Sequence, residues 1–283
     1  MLQRHLLFAA SGALAEAVIV GPALAGLGQP SPWQTGLQQA GTPVMGDIAW
    51  LHDLVLYIMT AIAALVLVLL LMVIARFNQR TNPTPSTTTN NRFIEVSWTV
   101  VPVLILFVIG VPSFRFLFQE QNMPPAEVTV KATGKQWFWT YSYPDNGQFE
   151  FDSLMLDDSA RKADQPRLLA VDNEMVVPVN QVIRVQVNGT DVVHSFAIPS
   201  FGIKIDTVPG RLNETWFKAT REGVYYGQCS QLCGRNHAFM PVAVRVVSLQ
   251  EFTAWVEEAK KKFAQDNVSK PTSIATADDA RVE

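Results

Sequence analysis

The sequence predicts a two-helix membrane hairpin that carries an all-β sandwich closed by one helix. Three observations lead there. Residues 54–74 and 96–114 are long apolar runs without a charge. Between about residues 125 and 248 the pattern turns to short alternating runs rich in Val, Ile, Phe, Trp and Tyr, separated by turn residues. From about 249 to 263 the period becomes helical, with Phe252, Trp255 and Val256 on one side. The net charge of -3 offers no basic excess for binding nucleic acid.

Residues 1–25 read as an export signal. Arg4 and His5 precede an apolar run that ends in Ala23-Leu24-Ala25, a small-x-small pattern suited to cleavage, although Glu16 is unusual inside such a run. Residues 26–118 then hold a polar segment and the hairpin. The 21 residues of 54–74 suffice to cross a hydrocarbon layer of ~30 Å as a helix. The 19 residues of 96–114 are interrupted only by Pro102, Gly110 and Pro112, which membrane helices tolerate. The Pro/Thr-rich connection carries Arg76, Arg80 and Arg92, whereas residues 26–52 contain no Lys or Arg. The positive-inside rule places that connection in the cytoplasm and both flanks outside, in agreement with an export signal.

Residues 119–263 form the exported domain. Strands are expected at 127–132, 181–187 and 241–247, with turns at Pro144-Asp145-Asn146-Gly147, Asn188-Gly189 and Pro209-Gly210. Short strands at this spacing argue for a sandwich or barrel. Residues 264–283 turn polar and read as a flexible tail.

The chemistry concentrates in Cys229-Ser230-Gln231-Leu232-Cys233-Gly234-Arg235-Asn236-His237-Ala238-Phe239-Met240, which holds both cysteines of the chain. A disulfide is the plain alternative for two cysteines in an exported domain. It would not call for a His four residues on and a Met three beyond that. Two thiolates, an imidazole and a thioether make a soft donor set that favours copper; structural zinc is the next alternative, but zinc seldom takes Met. Of the four histidines, His5 lies in the signal and His52 beside the first membrane helix, so His194 is the natural partner of His237. A distant strand end plus a ligand-rich loop before the last strand is how cupredoxin-like Greek-key sandwiches build copper sites. One copper needs one thiolate, so two thiolates suggest two coppers sharing both sulfurs.

With Glu95-Val96-Ser97-Trp98-Thr99, Gln136-Trp137-Phe138-Trp139-Thr140-Tyr141, Val192-Val193-His194-Ser195-Phe196 and Asp206-Thr207-Val208-Pro209-Gly210-Arg211, the loop resembles subunit II of haem-copper cytochrome c oxidases of the bacterial aa3 type, over about residues 30–260. The resemblance implies that Cys229 and Cys233 bridge the two ions of a binuclear copper A centre. His194 and Met240 would complete one ion, and His237 with the backbone carbonyl of Gln231 the other. The family usually has Glu where Gln231 stands, and that side chain also binds a magnesium ion shared with subunit I. A neutral amide is a weaker ligand for so hard an ion, which leaves the magnesium open.

The resemblance further implies electron uptake from cytochrome c through Trp137 and onward transfer to subunit I, which carries haem a, haem a3 and copper B and reduces oxygen to water coupled to proton translocation. Subunit III would complete the assembly in the bacterial inner membrane, with both termini and the copper domain on the periplasmic side. Glu95 would stand at the mouth of a proton pathway, and Arg211 would contact a haem propionate. Asp152, Asp157, Asp158, Asp172 and Asp191, with Glu150 and Glu174, are candidates for steering a basic cytochrome; ordinary solvated carboxylates are the alternative for each. A quinol oxidase subunit II would lack the copper ligands, and nitrous oxide reductase would need many more histidines than four.

Overall fold

A computed structural model of the chain describes residues 28–269, with side chains through Phe263. The export signal expected at 1–25 lies outside the described residues. Helix α1 spans Pro43–Arg76 and α2 spans Arg92–Gln121. The 34 residues of α1 rise about 1.5 Å each, so the helix is roughly 50 Å long and outreaches the ~30 Å hydrocarbon layer. Its excess is the first three turns, which join it to the β domain. Thr42 makes that joint: its hydroxyl oxygen caps α1 by accepting from the Met45 N–H at 3.1 Å, and its proton goes to the Phe201 carbonyl at 2.8 Å. Asn91 caps α2 by accepting from the N–H groups of Phe93 and Ile94. Neither apolar window is covered by the rest of the chain.

The β domain contains β1 (Val128–Lys135), β2 (Phe138–Ser142), β3 (Glu150–Ser153), β4 (Met175–Pro178), β5 (Ile183–Gly189), β6 (His194–Ile198), β7 (Ile203–Thr207), β8 (Asn213–Phe217), β9 (Gly223–Gln228) and β10 (Pro241–Val247). One sheet runs β3-β2-β1-β5-β8 and a second β4-β10-β9, with β6-β7 as a separate pair. The pair reaches the second sheet where the Ser230 N–H, just past β9, donates to the Ser195 carbonyl at 3.0 Å. β1 lies parallel to β5, Val130 opposite Val185, and β10 parallel to β4. Parallel neighbours must come from separate parts of the chain, joined by long crossover connections. The burial of β5 alternates residue by residue, the signature of a strand with one face in a core. That core holds Trp139, Tyr141, Tyr143, Phe196, Phe201 and Tyr225.

Helix α3 (Leu249–Ser269) opens on a capping box: the Glu251 N–H donates to the Ser248 hydroxyl and the Ser248 N–H to the Glu251 carboxylate. It buries Phe252, Val256, Ala259 and Phe263, one stripe at helical spacing. Its backbone continues to Ser269, six residues into the stretch expected as tail; the rest of that stretch lies outside the described residues.

Candidate metal centre

The loop between β9 and β10 is pinned at its base by the Cys229 N–H, which donates to the Met240 carbonyl at 3.3 Å. It folds so that both thiols point inward. The two Sγ atoms lie 3.8 Å apart, too far for the ~2.05 Å bond of a disulfide and close enough for one metal ion to reach both at about 2.3 Å. Met240 Sδ and His237 Nδ1 each stand 3.5 Å from Cys233 Sγ. His194, at the start of β6, brings Nδ1 to 4.0 Å from Cys229 Sγ, and the Gln231 carbonyl oxygen lies 3.3 Å from the same sulfur. Cys229, Cys233, His194 and Met240 are buried. Donors drawn from 35 residues apart in sequence thus converge on one pair of sulfurs.

Neighbouring residues shape this cluster. Gly134 on β1 leaves room for the His194 ring; a β-carbon there would sit 2.9 Å from His194 Cδ2. Gly234 adopts φ +120° against the indole of Trp137, a conformation that side chains disfavour. The Cys233 carbonyl accepts from Gln136 Nε2 at 2.9 Å and from Trp137 Nε1 at 3.2 Å, so two donors from the β1–β2 turn hold the loop. Trp139 Nε1 donates to the Met240 carbonyl, and its ring meets that of His194 edge-on at 6.1 Å between centroids.

Electrostatics divide the two thiols. Burial opposes charge on Cys229, yet its hydrogen bonding with His194 and with the Ser195 backbone outweighs it and lowers its pKa. Burial and the neighbouring Cys229 thiolate both raise that of Cys233. Asp191 Oδ1 lies 2.8 Å from His194 Nε2, while its oxygens also accept from the N–H groups of Val192 and Gln136. A carboxylate on Nε2 favours the tautomer that carries its proton there, leaving the Nδ1 lone pair for a metal. Burial resists charge on His194, but its bonds to Cys229 and Asp191 prevail and raise its pKa.

The family model for the periplasmic domain of cytochrome c oxidase subunit II matches residues 128–247, and that for its transmembrane domain matches residues 30–116. A probable cytochrome c oxidase subunit 2 of Rickettsia bellii is 50% identical over 242 residues, 86% of this chain and 90% of the relative. The chain belongs to the cytochrome c oxidase subunit II family. Cytochrome c oxidase subunit 2 of Cereibacter sphaeroides is 44% identical over 252 residues, 83% of each chain. The crystal structure of the periplasmic domain of subunit II of the Bradyrhizobium japonicum oxidase is 68% identical, covering 50% of this chain and 99% of that one at a TM-score of 0.48.

In this subunit II family member the role is electron transfer within a membrane-bound haem-copper oxidase complex. The buried His194, Cys229 and Cys233 form a group that could hold a metal ion, consistent with the copper A site of the family. The remaining residues expected to act are dispersed. Trp137 is half-buried against the ligand loop. Glu95 stands in the first turn of α2, where its carboxylate accepts from the Asn91 N–H at 3.2 Å and so also helps cap the helix. Arg211 is exposed after the Pro209-Gly210 turn. Among the acids expected at a docking face, Asp152 accepts from the Thr140 hydroxyl and Asp172 from the N–H groups of Leu154 and Asn173. Asp158 pairs with Arg161 and Arg167. Asp157 is exposed. Asp191 bonds to His194 beside the metal cluster, a contact that only the Asp-x-x-His spacing hints at in the sequence.

Proposed function

We propose that this chain accepts single electrons from a c-type cytochrome at a binuclear copper A centre and passes them to haem in subunit I, where oxygen is reduced to water and protons are translocated. The observation that carries this reading is the pair of buried sulfurs 3.8 Å apart, flanked by two imidazoles and a thioether. Cys229, Cys233, His194, His237, Met240 and the Gln231 carbonyl would hold the copper ions. When bound, two copper ions held by shared thiolates take up and release one electron with little change of geometry. The loop supports that by rigidity, since its carbonyls at Cys233 and Met240 are tied to side chains of the opposite sheet.

Trp137 would be the port for the electron, because its ring touches the ligand loop and is partly open to solvent. The docking face would use Asp152, Asp157, Asp158, Asp172 and Asp191. Glu95 would open a proton pathway and Arg211 would meet a haem propionate of subunit I. Subunit III would complete the complex. The copper domain and both termini would face the periplasm, after removal of residues 1–25. The magnesium of the family would be weakened here by the neutral Gln231 side chain.

Electron spin resonance of the purified oxidase complex tests the centre. The oxidised chain should show the hyperfine pattern of one unpaired spin shared by two copper nuclei. Cys229→Ser and Cys233→Ser should each abolish that pattern. A fully active complex whose loop holds zinc would overturn the proposal.

A further inference from the structure

At the end of the hairpin nearest the β domain, α1 and α2 part to leave a groove of about 940 Å³. Leu54, Phe107, Val108 and Val111 line it together with Asp47 and Arg115. Between them Trp50 and Phe116 meet edge-on, with ring centroids 6.0 Å apart, at the depth where aromatic side chains mark the membrane boundary. Neither Asp47 nor Arg115 makes an ion pair or a side-chain hydrogen bond among the described residues.

The two charges occupy different levels. Arg115 directly follows the uncharged run of α2, which ends at Phe114. Trp50 meets Phe116 across the helices, with Asp47 three residues outward of Trp50 and Arg115 one residue inward of Phe116, so Asp47 stands roughly 6 Å further out. A cation near the hydrocarbon and an anion beyond it match, in mirror charge, a zwitterionic phospholipid, whose phosphate joins the glycerol and whose ammonium lies outside the phosphate. A guanidinium binds phosphate oxygens through paired N–H donors. The apolar lining of Leu54, Phe107, Val108 and Val111 suits an acyl chain. A membrane helix filling the groove would have to supply both missing charges, in the right order, from its own apolar surface.

We infer that this groove is a binding site for one zwitterionic phospholipid of the leaflet nearest the β domain, held by Arg115 on its phosphate and Asp47 on its ammonium group. The lipid would act as a filler between the two helices of the hairpin.

Photoactivatable phosphatidylethanolamine, with the reactive group on its acyl chain, tests this in the assembled oxidase complex reconstituted into phosphatidylethanolamine vesicles. Label should map to the peptides holding Leu54 and Phe107 to Val111. Arg115→Gln should lower it about tenfold, the effect of losing one charge-assisted hydrogen bond, and Arg115→Lys should retain most of it. Equal labelling of wild type and Arg115→Gln, or stronger labelling by an anionic phosphatidylglycerol probe, would overturn the inference. A photo-cross-linking side chain placed at Val111 supplies an independent measurement should Arg115→Gln fail to assemble. Cross-linking to lipid is expected, and cross-linking to another subunit would show that polypeptide fills the groove.

Discussion

Asp191 shows how the fold gives a surface acid a second partner that its type alone does not announce. In sequence it is one acid among several on an exported surface. In the fold its oxygens hold His194 Nε2 and two backbone N–H groups, so it orients a ring of the candidate metal site. Outer partners of this kind set ring orientation and ligand basicity. Asp191→Ala should therefore weaken copper binding by about 10- to 100-fold, measured by competition with a chelator, while the β-sheet circular dichroism stays unchanged. The tyrosines of the β domain make a second prediction at this scale. Burial raises the pKa of Tyr141, Tyr143 and Tyr225, and pushes that of Tyr226 up to about 12. A phenol whose folded pKa exceeds its unfolded value of about 10 contributes stability that is complete below pH ~10 and lost as pH rises through the folded value. Phenolate absorbance of the β domain should thus lag free tyrosine in an alkaline titration and rise together with unfolding.

Elements were legible where a local pattern sufficed. The alternation read at 127–132, 181–187 and 241–247 falls on β1, β5 and β10, and the apolar stripe at 249–263 falls on α3. The Ser248-x-x-Glu251 box is a start signal visible in sequence. The pairing of β1 with β5 and of β4 with β10 was not legible, because parallel register depends on contacts between distant strands. Nor was the partner of the α3 stripe: Phe263 stacks on Phe151 of β3 at 4.5 Å, and Trp255 packs against Tyr143. Removing the Phe263 ring should cost about 3–5 kcal/mol, the usual loss for a large buried side chain. Ser248→Ala should cost about 1 kcal/mol, since only a cap is lost. Urea unfolding followed by tryptophan fluorescence should rank the two variants in that order.

At the scale of the molecule, a soluble redox domain stands on a membrane hairpin, and charge governs how a diffusing partner meets it. The proposed docking acids are unequal. Asp158 is flanked by Arg161 and Arg167, which offset its field, whereas Asp157 is exposed and has no recorded counter-ion among the described residues. Asp157→Asn should slow the bimolecular reduction by cytochrome c more than Asp158→Asn, in stopped-flow measurements at low salt. Both effects should shrink as ionic strength approaches ~0.1 M and the Debye length falls to about 10 Å. The sequence by itself determined the two apolar spans, the half-buried strands and the soft donors, because each is written in composition or short spacing. Only the tertiary structure decided that His194 faces Cys229, that the thiols stop at 3.8 Å, that Asp191 turns inward and that the hairpin opens into a charged groove. These features join residues far apart in the chain, and their distances are set by the packing of whole sheets and helices, which no local pattern encodes.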